Sequence, residues 1–239
     1  MMASHFFRKN CGLRLVRPKR LLRGFRKILQ TGIGASALDL GAVTIGMMMN
    51  NQIMKYGGTT ELAIFGVIST LMALFQALFA GVGQAAQPIV STNYGAGRTA
   101  RVKATWKLSF ATVIVLGILF TAIGELFPVP VTAFFIKAAP AVLKAAPRIF
   151  RLFFPMFLFL GITVLADYYL QSIMEVNRSM VIGLAHSVLV SGAALFGLPL
   201  LLGMNGVWLA MPVAEWITGL IGASYIIGRA NRALSEINS

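Results

Sequence analysis

The chain is 239 residues long, 57% hydrophobic and only 12% charged, with a mean hydropathy of +0.79. A water-soluble domain carries about 25% charged residues because its surface must face water. The seven acids here (Asp39, Glu61, Glu125, Asp167, Glu175, Glu215 and Glu236) are too few to cover one. The composition excludes a soluble globular protein, makes the bilayer the solvent, and predicts an all-α, polytopic bundle of transmembrane helices.

A net charge of +14 does not signal nucleic acid, because the charge is gathered at one place. Nine of the 21 basic residues (Arg8, Lys9, Arg14, Arg17, Lys19, Arg20, Arg23, Arg26 and Lys27) precede position 28, in a stretch with no acid. Residues 1–27 therefore read as a basic cytoplasmic flank feeding the first span. The same composition would suit a mitochondrial transit peptide, but not a secretory signal, which needs an apolar core and a small-residue cleavage site. Cys11 is the one cysteine, so neither a disulfide nor a cysteine metal site organises the fold.

A spanning helix needs about 20 mostly apolar residues. Six segments meet that: 28–54, 62–90, 106–127, 150–173, 179–202 and 206–228, with 229–239 as a cytoplasmic tail. Interruptions such as Gly81, Gly83 and Pro88 are tolerated where neighbouring protein or a wet cavity satisfies the backbone. Basic residues orient the bundle. With both termini inside, sixteen Lys and Arg fall on inner segments and five on outer ones, which predicts a multi-pass protein of the cytoplasmic membrane. The dissonant outer stretch is 128–151, where Pro128, Pro130, Pro140 and Pro147 surround Lys137, Lys144, Arg148 and Arg151. It reads as a short amphipathic segment at the interface before the fourth span.

An ionisable group inside a span is costly and marks a functional position by default. Asp39 falls 11 residues into the first span, Asp167 in the inner half of the fourth, and Glu215 nine residues into the last. None has a basic residue within a helical turn in sequence. The functional reading is that these carboxyl groups bind H⁺ or Na⁺ and couple that event to transport. A Na⁺ at Asp39 would need further oxygens, for which Asn50, Asn51, Thr44 or Tyr168 are candidates. The plainer alternative is a protonated acid making one interhelical hydrogen bond. Glu175, beside Arg178, reads as a solvated flank, and the lone His186 as a packing residue.

No H-E-x-x-H spacing, cysteine pair or second histidine near His186 supports a metal site. Gly81-x-Gly83 and Gly95-x-Gly97 are too short for a nucleotide loop, and there is no Walker motif, so neither an enzyme nor a cofactor is expected. Met47, Met48 and Met49, with Phe65, Phe75 and Phe79, give the first two spans deformable apolar surfaces of the kind that re-pack around varied ligands. Met47, Asn51, Phe75 and Tyr168 are the weak candidates for substrate contact, ordinary helix packing being the competing reading.

The run Gln84-Ala85-Ala86-Gln87-Pro88-Ile89-Val90-Ser91-Thr92-Asn93-Tyr94-Gly95-Ala96-Gly97-Arg98 resembles the signature of the multidrug and toxic compound extrusion (MATE) family. In that family a Q-P-[IL]-[IV]-S-x-N-Y-G-x-G run ends a helix and enters a cytoplasmic loop, so Gln87, Pro88, Asn93, Tyr94, Gly95 and Gly97 carry the likeness. Asn50-Asn51, Lys55-Tyr56-Gly57-Gly58, Tyr169-Leu170-Gln171-Ser172-Ile173 and Gly203-Met204-Asn205-Gly206-Val207-Trp208, followed by Pro212 and Glu215, resemble further family segments.

The likeness covers about residues 5–228 but only the second six-helix bundle of a twelve-span transporter, with 1–27 resembling the linker between bundles. It implies a Na⁺- or H⁺-coupled antiporter exporting drugs or organic cations, and a complementary bundle as partner, either a separate chain or a second copy. Some members carry an acid on the first helix of this bundle, near the place of Asp39. Others carry one with a nearby tyrosine on the fourth helix, near Asp167. The rival readings are a flippase for lipid-linked substrates and a non-transporting fragment that only packs against a partner bundle.

Overall fold

In hydrocarbon every backbone N–H and C=O must be satisfied within the protein, so long apolar stretches become long helices. The structure, a computed structural model, describes residues 41, 43–137, 139–173 and 189–235, with side chains as far as Ser224. Every regular element among the described residues is helical. In chain order these are α1 (43–56), α2 (Thr59–Gly95), α3 (Thr99–Leu126), α4 (Pro128–Phe135), α5 (Pro140–Phe153), α6 (Phe157–Ser172), α7 (Ser191–Leu202) and α8 (Met204–Ser235). A 3₁₀ turn, Phe154–Met156, joins α5 to α6.

Among the described residues, four helical runs are long and apolar enough to cross a membrane: α2, α3, Pro140–Ser172 and Met204–Ser224. They carry the expected spans 62–90, 106–127, 150–173 and 206–228. Of the expected first span, 28–54, only 41 and 43–54 are described, in helix α1. The expected fifth, 179–202, is described from Leu189 on, where α7 is a 12-residue apolar helix. Helix α8 continues to Ser235, through much of the stretch read as a tail. The basic segment 1–27 lies outside the described residues.

The stretch 128–151 departs from the sequence reading. It is two helices, not one interfacial piece, and the second is helically continuous with the fourth span. Prolines set these starts: Pro128 and Pro140 occupy first helical positions, where the missing N–H costs nothing and φ is already suitable.

Contacts fix the directions of the long helices. Along α6, Phe157 meets Phe75, Gly161 meets Phe79 and Tyr168 meets Gly83, so α2 and α6 run the same way. Trp216 bonds to the Pro155 carbonyl, Gly219 meets Phe159 and Gly222 meets Ala166, so α8 runs that way too. Helix α3 runs opposite, with Gly124 against Phe154, Gly117 against Phe157 and Trp106 against Tyr169. The α1–α2 turn at Gly57–Gly58, the α3–α5 connection and the α7–α8 turn at Gly203 therefore share one end of the bundle, the first end. The α2–α3 turn and Ile173 mark the second.

The core is aromatic and weighted toward the first end. Phe75 stacks on Phe120 at 3.9 Å between centroids and meets Phe157 edge-on at 5.0 Å. Phe150 stacks on Phe154, which meets Phe157 in turn. A smaller cluster of Val90, Val102, Leu170 and Ile173 lies at the second end.

Candidate functional site

Polar side chains in the spans gather where α2 passes α6 near the second end. Gln84 Nε2 donates to Tyr168 Oη at 3.0 Å, across 84 residues of sequence. The tyrosine ring reaches that position only because Gly83 has no side chain: a Cβ there would lie 2.3 Å from Tyr168 Cδ2. Around this crossing, Gly83, Gln87, Trp106, Ser109, Tyr168 and Ser172 help line a void of about 10 Å³, the size one water needs. Ser172 donates its hydroxyl to the Tyr168 carbonyl at 2.6 Å, so it caps α6 from within. Asp167, on the preceding position of α6, is partly buried.

The signature run does local structural work beside this crossing. Pro88 sits inside α2 and removes one N–H from its ladder. One turn later Asn93 Nδ2 donates to the Ile89 carbonyl at 2.8 Å. The helix then stops at Gly95, and Gly97 takes φ +68°, a left-handed value that a side chain would strain. The Arg98 N–H returns to the Asn93 carbonyl at 2.8 Å. Gln87 is partly buried against the void, whereas Pro88, Tyr94, Gly95 and Gly97 are exposed. The family motif thus turns the chain from α2 into α3 within three residues.

The predicted acids are not gathered into one cluster. Asp39 lies outside the described residues, two positions before Gly41. Glu215 is buried, 3% exposed, on α8. Its neighbour Trp216 is level with Pro155, whereas Asp167 lies beyond the level where Ala166 meets Gly222. At about 1.5 Å per residue that puts the two carboxyl groups roughly 10–18 Å apart in depth. Among the described residues no three His, Cys, Asp or Glu stand together as a metal site would require.

The weak substrate candidates separate as well. Met47 is 62% exposed and Asn51 is exposed, while Phe75 is in the aromatic core and Tyr168 is held by Gln84. A cavity of about 340 Å³ opens between α1 and α7, lined by Gly41, Thr44, Ile45 and Met48 on one side and Leu189, Gly192, Ala193 and Phe196 on the other. Its described walls are nearly all apolar, and Met48, not Met47, reaches it.

Two polar links at the first end escaped the sequence reading. Trp208 Nε1 donates to Glu61 Oε2 at 2.8 Å, tying the start of α8 to the first turn of α2. Arg148 on α5 donates through Nε to Asn205 Oδ1 at 3.1 Å. Glu61 follows the turn glycines by three residues, which is an N-terminal signal. Its partner 147 positions away left no trace in the local pattern.

A family model, MatE, matches residues 37–195. Solved structures with the same fold include a MATE protein in a bent conformation (TM-score 0.83, 16% identity, covering 100% of this chain and 53% of that one). A MATE protein in complex with MaL6 is as similar (TM-score 0.83, 15% identity, 98% and 54%). So is a MOP superfamily transporter from Pyrococcus furiosus, for which a binding pocket of reverse polarity suggests a different function (TM-score 0.81, 16% identity, 95% and 52%). The chain spans about half the length of these structures. No curated protein matches it.

Proposed function

From the premise that this chain belongs to the MatE family of membrane transporters, we propose that it forms one six-helix bundle of a cation-coupled exporter of drugs or organic cations in the cytoplasmic membrane. A complementary bundle, from another chain or a second copy, supplies the other wall of the transport path. The observation that carries this reading is the overlay of nearly the whole chain on about half of a MATE structure, together with the acids Asp167 and Glu215 lying on its apolar helices.

Mechanistically, H⁺ or Na⁺ loads Asp39, with Asp167 as a second acceptor and Glu215 as a third. Loading biases the bundle between two packings, and the bundles rock about a site near mid-membrane. A ligand shifts such an equilibrium only through unequal affinity for its two states. The acid must therefore meet different surroundings in each. The Gln84–Tyr168 pair beside Asp167 supports a place for such a change, since it is a polar link between α2 and α6 next to a water-sized void. Both termini face the cytoplasm in this scheme, which the basic-residue distribution supports.

The test uses vesicles holding the chain with its complementary half, loaded with a fluorescent organic cation. Asp39→Asn is expected to abolish ion-driven export while leaving membrane insertion intact, and Asp167→Asn to weaken it. Export by Asp39→Asn at the wild-type rate would remove that residue from the mechanism. Absence of any Na⁺- or H⁺-driven exchange in the unmutated protein would overturn the function.

A further inference from the structure

Helix α5 has two chemically opposite faces. Val142, Ala146, Ile149, Phe150 and Phe153 are buried, and Lys144, Arg148 and Arg151 are exposed on the other side. The spacing of four and three residues stacks the three cations in one stripe along the helix. Lys137, just before the helix, is exposed too. The sequence holds no acid between Glu125 and Asp167, so the stripe has no counter-charge from its own segment.

Its depth in the membrane follows from the other end of the same helical run. Tyr169 packs on Trp106 at 5.4 Å, and exposed Lys103 and Lys107 flank that tryptophan. Aromatic rings beside lysines mark the boundary of the hydrocarbon. From Tyr169, about 20 residues of helix are needed to cross a core about 30 Å thick. That crossing ends close to residue 149. Helix α3 gives the same answer, since 20 residues from Lys107 end at Phe127. Arg151 and Arg148 therefore lie at the hydrocarbon edge, and Lys144 lies about 5–8 Å beyond it, where lipid phosphates reside.

Helix α4 adds the apolar half of an interfacial anchor at that same level. Phe134 is 85% exposed, and Leu126, Phe127 and Phe135 beside it are exposed as well. Exposed apolar rings on a helix packed against a basic one suit acyl chains with phosphate above them. An acidic protein surface would leave those rings in water. The charge rule deepens the point: this end is the one predicted to face outward, where basic residues are sparse, and Lys55 and Lys137 are the only others assigned there by the sequence.

We propose that the Lys144–Arg148–Arg151 stripe, with the exposed rings of α4, is a binding surface for the phosphate headgroup of an anionic phospholipid. Arg148 is also the residue that grips Asn205 at the start of α8, so lipid bound here would bear on the junction of α5 and α8. The inference stands whether or not the transported cargo is a cation.

The test is thermal unfolding of the full chain in micelles doped with phosphatidylglycerol or with phosphatidylcholine, with bound lipid counted by native mass spectrometry. Phosphatidylglycerol is expected to raise Tm by several degrees more than phosphatidylcholine. Lys144→Gln with Arg151→Gln should remove most of that difference and at least one retained lipid, while Arg98→Gln with Arg101→Gln at the second end leaves the Lys144 site filled. Equal effects of the two lipids, or a double variant that keeps the full shift and the same lipid count, would overturn the assignment.

Discussion

At the first end, three chain connections are locked by aromatic packing and by hydrogen bonds between residues 57 and 147 positions apart. At the second, the cross-helix link is Gln84 to Tyr168, over a small aliphatic cluster and beside a water-sized void. The difference lies in what would have to move. Separating helices at the first end means withdrawing the Trp208 ring from Phe65 and Phe153 and breaking the polar bonds set among these helices. Separating α2 from α6 at the second end means breaking the Gln84–Tyr168 hydrogen bond and wetting a void already lined in part by polar groups. A bundle built this way has a stiff end and a yielding one, and the family turn from α2 to α3 sits on the yielding one.

The comparison breaks most visibly through close approaches of helices. At Gly206 an added Cβ would lie 2.3 Å from the Leu198 carbonyl oxygen and 2.6 Å from the Pro199 nitrogen, both backbone atoms that cannot swing aside. Gly206→Ala is expected to force α7 and α8 apart at the first end and to cost about 3 kcal/mol, read as a lowered unfolding midpoint in detergent. A midpoint within a degree of wild type would show that the α7–α8 junction yields as easily as the second end.

The next effect in size comes from Trp208. Trp208→Phe keeps an aromatic ring against Phe65 and Phe153 but leaves Glu61 Oε2 without its indole donor. The expected loss is about 1–3 kcal/mol. Glu61→Leu in the same background should recover part of it, because the acceptor left stranded is then gone. A double variant less stable than Trp208→Phe alone would mean that Glu61 serves another partner.

Much of this architecture could be read before any coordinates, because the bilayer imposes one rule on every span. Uncharged runs had to be helices, and four of the expected six coincide with long helices among the described residues. The signature predicted a helix end, and Asn93, Gly95 and Gly97 supply one. What did not show was where helices meet sideways. Nothing in the sequence around Phe75 distinguishes a ring that stacks on Phe120 from one that faces a ligand, since both are aromatics on an apolar helix. The continuity of α5 with α6 was hidden by Pro140 and Pro147, which set 128–151 apart as a separate interfacial segment and are absorbed as a helix start and an interior position. The Glu61–Trp208 and Gln84–Tyr168 bonds join residues far apart in the chain, and only the fold brings them together.

The smallest expected effect is also the one that sharpens the contrast between the ends. A hydrogen bond between spans is worth about 0.6 kcal/mol on average, because the separated helices find other partners. Tyr168→Phe and Gln84→Leu should each lower stability by about that much, and the two together by little more than either, giving a coupling of about 0.5 kcal/mol in a double-mutant cycle. The same variants should alter access at the second end far more than they alter stability. A cysteine placed at Ser109, on the wall of the void, should react faster with a water-soluble thiol reagent in Tyr168→Phe than in the unmutated background. If its rate is unchanged while the coupling is present, the bond holds two helices together without governing entry of water, and the yielding end of the bundle is not opened there.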